Sequence, residues 1–350
     1  LPQKQARRFL PVDKKFRFVN ISRRSFLKSV AGAATGIPLV GLPKSRAAEP
    51  NSIPKRKFGR HDEMLSVLGV GGLTLGGAES IDEALRIAHR AIDLGVNFFE
   101  NAWDYRGGKA EEWMGHALEG KRDQIFLMTK VCTHNKAFPD GGKEGAMRML
   151  EESLRRLKTD HIDLWMIHAI ESMEEVEKAY MPGGVLEAFE KAKKEGKIRY
   201  TGFTGHTDPE AHLKLLEGGY AFDATLMPVS ALGALSSRQF EKVVMPELVK
   251  RNIACLGMKG FGGSKRAHLH GLVTAETVMR YSLSYPQVCT HVIGIDKMPF
   301  LDQAALAASK TPMTPAERDA FTVSLSQQGG ERFAVYLEEG HKDGCCGTAA

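Results

Sequence analysis

Between residues 67 and 309 the chain alternates between two kinds of segment: short apolar runs of strand length, and longer stretches with helical period. The apolar runs lie at Val67–Val70, Val96–Phe99, Ile125–Thr129 and Ile162–Ile167, and again near 198, 224, 254 and 290. After the first run, Ser80 stands as N-cap of IDEALRIAHRAIDLG, with Ile81, Ala84, Leu85, Ala88 and Ile92 on one face and Gly95 at its end. Further helices are predicted at about 109–119, 143–157, 183–195, 208–217, 240–251, 274–284 and 299–309. Eight strands each followed by a helix argue for an α/β fold closed into a parallel (β/α)8 barrel, rather than an open doubly wound sheet. RKFGRHDEMLSVLGVGG, just ahead, reads as an N-terminal hairpin feeding the first barrel strand, and a C-terminal helical tail beyond Met313 is expected to lie over the barrel.

Three of the apolar runs end in chemistry. Val96–Phe99 is followed by Glu100 and then Tyr105, Ile125–Thr129 delivers Lys130, and Ile162–Ile167 delivers His168. In a parallel barrel the C-terminal strand ends share one rim. A carboxylate, a phenol, an ammonium and an imidazole brought together there suit protonation of a carbonyl oxygen. A tyrosine with an ordinary pKa near 10 is a poor acid at neutral pH, but a lysine beside it favours the phenolate and a carboxylate keeps that lysine charged. Charged residues are rarely buried unpaired, so Glu100 and Lys130 are expected to be partners whatever their role.

FFENAWDY, LMTKV and DLWMIHA carry a resemblance to the aldo-keto reductases, whose catalytic Asp, Tyr, Lys and His fall on Glu100, Tyr105, Lys130 and His168. The acid here is Glu rather than Asp. The resemblance implies an NADPH-dependent oxidoreductase interconverting an aldehyde or ketone and its alcohol, with Tyr105 as general acid. Trp103, His134, Phe138, Trp165 and Phe261 are candidates for contact with a small-molecule carbonyl substrate. The His and acidic residues form no ligand-like cluster, so no metal is expected.

No GxGxxG motif follows an early strand. A barrel offers another anion site, in the loops after strands seven and eight. Lys259-Gly260-Phe261-Gly262-Gly263-Ser264-Lys265-Arg266 follows strand seven and Gly294-Ile295-Asp296-Lys297 follows strand eight, with glycines that let backbone amides approach an anion and basic side chains that add charge-assisted bonds. By resemblance, Ser264, Lys265, Arg266 and Lys297 would hold the nucleotide phosphates, with Lys259 and Gly262 as further cofactor-binding candidates. NADP(H) is favoured, with NAD(H) possible in view of Asp296. At the nicotinamide end the family pattern is broken. Thr204-Gly205 stands for the usual Ser-Asn after strand five, Leu226 for Gln on strand six, and Val229 for a stacked aromatic, with Thr204 and His206 as compensating candidates. These departures motivate an alternative, a nucleotide-binding or regulatory protein that turns over weakly.

The basic charge behind the formal +6 is concentrated in the first 57 residues, where Asp13 and Glu49 are the only acids; the remainder is net acidic and presents no nucleic-acid surface. Within residues 1–47, Ser22-Arg23-Arg24-Ser25-Phe26-Leu27-Lys28 precedes a mildly apolar run and then Ser45-Arg46-Ala47, a pattern that looks like a twin-arginine export signal. The expected partner is the twin-arginine export machinery, and the expected location the bacterial periplasm. Pro38 and Pro43 leave the apolar run too short for a stable membrane span. The division expected is therefore a leader over 1–47, a barrel over 54–312 and an extension over 313–350. Five cysteines, Cys132, Cys255, Cys289, Cys345 and Cys346, match no metal spacing and predict no disulfide framework.

Overall fold

The computed structural model describes residues 52–133, 142–263 and 271–338. The leader with Arg23 and Arg24, the loop residues Ser264, Lys265 and Arg266, the substrate candidates His134 and Phe138, and Cys345 and Cys346 all lie outside those residues.

A hairpin of β1 (Lys55–Lys57) and β2 (Met64–Ser66) leads into the barrel. The barrel strands are β3 (Leu68–Gly71), β4 (Phe98–Glu100), β5 (Phe126–Val131), β6 (Ile162–Ile167), β7 (Ile198–Thr204), β8 (Ala224–Pro228), β9 (Ala254–Met258) and β10 (Val288–Gly294). Every neighbouring pair is parallel, and β10 pairs with β3 to close the ring. The helices in chain order are α1 (Gly72–Leu75), α2 (Ile81–Asp93), α3 (Lys109–Ala117), α4 (Lys143–Leu157), α5 (Met173–Tyr180), α6 (Val185–Lys194), α7 (Pro209–Glu217), α8 (Phe240–Val243), α9 (Met245–Arg251), α10 (Ala275–Ser282), α11 (Met298–Ala308) and α12 (Pro315–Ser326).

Strand periodicity explains the interior. Alternate residues face inward, so β4 points Phe98 and then Glu100 into the barrel, and β5 points Phe126, Met128 and then Lys130. Phe58 and Leu65 from the hairpin join Phe98, Phe126, Met128, Leu164, Met166, Ala224, Leu226, Ala254 and Leu256 in one apolar cluster. This cluster fills the barrel from its lower end, leaving the inward residues at the upper strand ends to form the rim. A second, larger cluster packs the outer strand faces against the helices; Trp165, fully buried against Phe189, belongs there and not to the substrate pocket.

Three sequence expectations need correction. The helix predicted over 240–251 is two, α8 and α9, because Pro246 lacks the N–H that a continuous helix needs and sits instead at the first turn of α9. The buried face of α2 is Ala84, Ile87, Ala88 and Ala91, with Ile81, Leu85 and Ile92 only partly covered. An unanticipated helix, α5, follows β6; Ser172 caps it by accepting from the Glu175 N–H. After α12 the chain turns back, with the Val335 N–H donating to the Gly262 carbonyl at 3.3 Å and Arg238 donating to the Leu337 carbonyl at 2.7 Å. The tail is thereby tied to the loops after β8 and β9.

Candidate active site

Glu100, Lys130 and Tyr105 form one closed hydrogen-bonded group. The Lys130 ammonium has three donors, and all three are used: on Glu100 Oε1, on the Asn101 carbonyl at 2.9 Å and on the Tyr105 phenol oxygen at 2.9 Å. Tyr105 in turn donates to Glu100 Oε1 at 3.0 Å, while Glu100 Oε2 accepts from the Gly72 N–H at 3.2 Å. The Lys130 and Glu100 side chains are 1% and 5% exposed, so the pair is stable only because each charge meets the other and its remaining valences are filled. Glu100 thus holds both Lys130 and the phenol, more than the single contact to the lysine that the sequence assigned to it.

His168 stands across from the phenol, its ring edge-on to Tyr105 with centroids 5.6 Å apart. Its Nδ1 lies 3.1 Å from Asp104 Oδ1, and both side chains are buried. Asp104, beside Tyr105 in sequence, had no assigned role. Asp104, Cys132 and His168 bring potential ligand atoms within 4.8 Å of one another. Cys132 is disulfide-bonded, which removes its thiolate as a ligand, while Cys255 and Cys289 are free and buried.

These groups open onto a cavity of about 250 Å³ lined by Glu100, Asp104, Tyr105, Arg106, His168, His206, Leu226, Met258, Lys259 and Val292, with Gly71 and Gly294 at its edge. A larger open groove, about 540 Å³ between α4 and α6, collects Lys143, Glu187, Glu190, Lys191 and Lys194 but none of the rim chemistry. Five non-glycine residues among those described have left-handed backbone: Arg106, Lys158, Ala169, Asn252 and Lys259. Lys158 and Asn252 terminate α4 and α9, an ordinary use of that conformation. Arg106, Ala169 and Lys259 instead sit at or beside the cavity, and strain of about 1–3 kcal/mol at each is tolerated where backbone must aim side chains at a site.

A second polar group reaches the same cavity through His206. His206 Nδ1 is 3.2 Å from Glu171 Oε1. Burial, with Glu175 close by, pushes the Glu171 carboxyl up to about 7 even though Lys259 pulls the other way. Burial also drives His206 well below the usual imidazole range, helped by the positive charge of Lys259 and by His168, Lys130 and His212.

The nucleotide candidates are only partly brought together. Lys259 lines the cavity, and Thr204 pairs in register with Leu226 on the inner barrel surface, where its buried Oγ1 has no hydrogen-bond partner among the described residues. Gly205 does not face the cavity as a grip. A Cβ there would lie 2.2 Å from the Ile170 carbonyl oxygen and 2.5 Å from His212 Nε2, so glycine is demanded by packing. Gly262, left-handed at φ +72, is held under the Phe333 carbonyl, and Lys297 is the N-cap of α11. Trp103 donates to Glu152 at 2.8 Å outside the cavity, which corrects its reading as a substrate contact.

The aldo/keto reductase family model matches residues 67–268, more than half of the chain. The chain belongs to the aldo/keto reductase family. A relative of the chain, an uncharacterised oxidoreductase (YqkF) of Bacillus subtilis, is 28% identical over 311 residues, covering 78% of this chain and 97% of its own. Among solved structures, the holo form of aldo-keto reductase AKR11C1 from Bacillus halodurans aligns with a TM-score of 0.64 at 24% identity, covering 83% of this chain and 100% of its own. An aldo-keto reductase from Klebsiella pneumoniae in complex with NADPH aligns at 0.60 and 21%, covering 78% and 95%. Family membership makes this chain an oxidoreductase, and the shared barrel puts the Glu100, Lys130, Tyr105 and His168 group on the rim where barrel enzymes keep their chemistry.

Proposed function

We propose that this protein reduces an aldehyde or ketone to the alcohol, and reverses that reaction, with NADP(H) as the redox partner. The observation that carries the reading is the Tyr105 phenol held between an ammonium and a carboxylate at the wall of a cavity of small-molecule size. When bound, the nucleotide supplies the hydride. Tyr105 gives its proton to the carbonyl oxygen, and the phenolate left behind is stabilised by Lys130 at 2.9 Å. In the resting state that proton is directed at Glu100, so an entering carbonyl oxygen competes with Glu100 for it. His168, edge-on to the phenol, orients the carbonyl from the other side.

The cavity suits a nicotinamide ring. Leu226, Met258 and Val292 offer apolar surface, and the Thr204 hydroxyl on β7, without a hydrogen-bond partner among the described residues, suits a carboxamide. Support for NADP(H) comes from the NADPH complex of the Klebsiella pneumoniae structure and from the basic loop after β9. The second reading, a nucleotide-binding or regulatory protein with weak turnover, is favoured by Leu226 at the cavity wall, where the family pattern has a hydrogen-bonding Gln. NADPH fluorescence titration together with NADPH oxidation over a broad carbonyl panel separates the two. Turnover of one good substrate supports the reductase, and tight binding without any turnover supports the regulatory protein.

Export by the twin-arginine pathway is proposed on the Arg23-Arg24 pattern alone. That pathway carries folded proteins, so the nucleotide would be acquired before export and then retained or recharged. Cell fractionation of the wild type beside an Arg23→Lys, Arg24→Lys double variant tests it, and full-length cytoplasmic protein in both would contradict it.

A further inference from the structure

Arg106 follows Tyr105 at a position that does not suit it. The turn Tyr105–Gly108 takes left-handed backbone at Arg106 (φ 54, ψ 37) and again at Gly107 (φ 65, ψ 27), a conformation that glycine or asparagine adopts more readily than a long side chain. Arg106 nevertheless lines the cavity that Tyr105 and His168 share. Its side chain is held from the segment after β3: Nε donates to the Leu73 carbonyl at 2.9 Å, and the guanidinium lies against Gly77, where a Cβ would come within 2.6 Å of Cζ and 2.9 Å of Nε. The missing side chain at Gly77 is thus the slot in which the guanidinium rests.

No carboxylate among the described residues answers that charge. Glu100 is taken by Lys130 and Tyr105, and Asp104 lies 3.1 Å from His168 Nδ1. Lys259, the other cation on the wall without a carboxylate of this kind beside it, acts on Glu171 and His206 in the loops after β6 and β7. Nε is the one guanidinium nitrogen of Arg106 with an acceptor among the described residues, so the two Nη groups remain as a fork of donors. Arg106 is exposed, and water carries its charge while the cavity is empty of ligand. A guanidinium fork matches two oxygens of a carboxylate or a phosphate.

We propose that Arg106 is a specificity-determining residue, and that the substrate reduced at Tyr105 is an aldehyde or ketone that also carries an oxyanion, a carboxylate or a phosphate, held by the Arg106 fork. The proposal rests on the carbonyl-reductase reading and names the substrate class for it. Arg106 grips a part of the substrate that does not react, and no proton or electron moves there. The contact is therefore made equally before and during the chemical step, and its loss appears chiefly in KM.

Paired substrates in the NADPH oxidation assay read the preference. Succinic semialdehyde beside butanal and 4-carboxybenzaldehyde beside benzaldehyde report on carboxylate, and glyceraldehyde 3-phosphate beside glyceraldehyde reports on phosphate. The ratio of kcat/KM, anionic over neutral, should favour the anion in the pair whose oxyanion fits, and fall roughly tenfold or more in Arg106→Met, mainly through KM. Arg106→Gly suits the left-handed backbone and gives the same test should methionine loosen the turn. Gly77→Ala keeps Arg106 but fills its slot, and should lower the same ratio. A ratio that is the same in wild type and variants overturns the proposal. So does a loss confined to NADPH affinity in fluorescence titration, which would make Arg106 a nucleotide contact. Absence of turnover in the wild type would remove the reductase reading, and spectra of the 15N-arginine-labelled protein would then decide whether Arg106 holds an anion. Its side-chain signal, assigned by its absence in Arg106→Met, should move saturably with succinate or glycerol 3-phosphate and stay put with succinamide and glycerol; a signal that ignores both anions overturns the site.

Discussion

The two walls of the cavity are built on opposite principles. Glu100, Lys130 and Tyr105 on the β4–β5 side are ionised or strongly hydrogen-bonded groups that satisfy one another with nothing left over. In the loops after β6 and β7, Glu171 and His206 are held by burial in the range where they are neutral or titrating, and Leu226 on β8 and Met258 on β9 add no polar atom. The first wall is organised to hold charge fixed, which is what stabilising a phenolate needs. In the second, burial works against charge on the carboxyl and the imidazole.

The contrast is most easily broken at Lys130. Lys130→Met leaves Glu100 buried without its counter-charge, and stability should fall by about 3–5 kcal/mol, with carbonyl turnover lost as well. Chemical denaturation of the two proteins measures the first effect; a loss below 1 kcal/mol would mean that the wall is not the closed ionic group described.

Behind the second wall, His212 packs edge-on to Phe203 and Phe240, and burial holds its imidazole at about 3; His291, beside Gly257 and Gly260, is likewise held at about 3. Both folded-state values lie below the unfolded value near 6.5, so the unfolded chain binds more protons between the two. Stability is then complete above about pH 6.5 and declines as pH falls toward 3, on the order of 2 kcal/mol per histidine at pH 5. Melting at pH 5 against pH 8 should show the deficit, and His212→Leu should narrow it. A gap that is the same in the variant would remove His212 from the account.

Smaller again is the effect expected from Leu226→Gln, which puts a hydrogen-bonding side chain back into the apolar strip. NADPH affinity should improve by roughly 0.5–1.5 kcal/mol, about two- to tenfold, in fluorescence titration. Weaker binding would show that the nicotinamide does not lie against Leu226.

The same division governs how much was legible in the sequence. Glu100, Lys130 and His168 stand at the ends of short apolar runs, and a barrel strand, buried on both faces with alternate residues turned to the interior, aims them inward at one rim. Register alone therefore places them. Asp104, Glu171 and Lys259 come from loops, where no period fixes direction, and their pairings depend on α5 and on left-handed backbone at Ala169 and Lys259. One signal for α5 was present: Ser172 with Glu175 three residues on is a helix-start pattern, and Ser172 does accept from the Glu175 N–H. The need for glycine at position 205 had no local signal, because it is set by a carbonyl and an imidazole from two other segments, Ile170 and His212.

The central claim is that the Tyr105 proton goes to a carbonyl oxygen. The direct measurement is carbonyl-dependent NADPH oxidation by the wild type and by Tyr105→Phe, with melting temperature recorded for both. Tyr105→Phe removes one hydroxyl and leaves Lys130 bound to Glu100 and the Asn101 carbonyl, so the fold should persist while kcat/KM falls by about 10²–10⁴. Equal rates in two equally stable proteins would contradict the assignment.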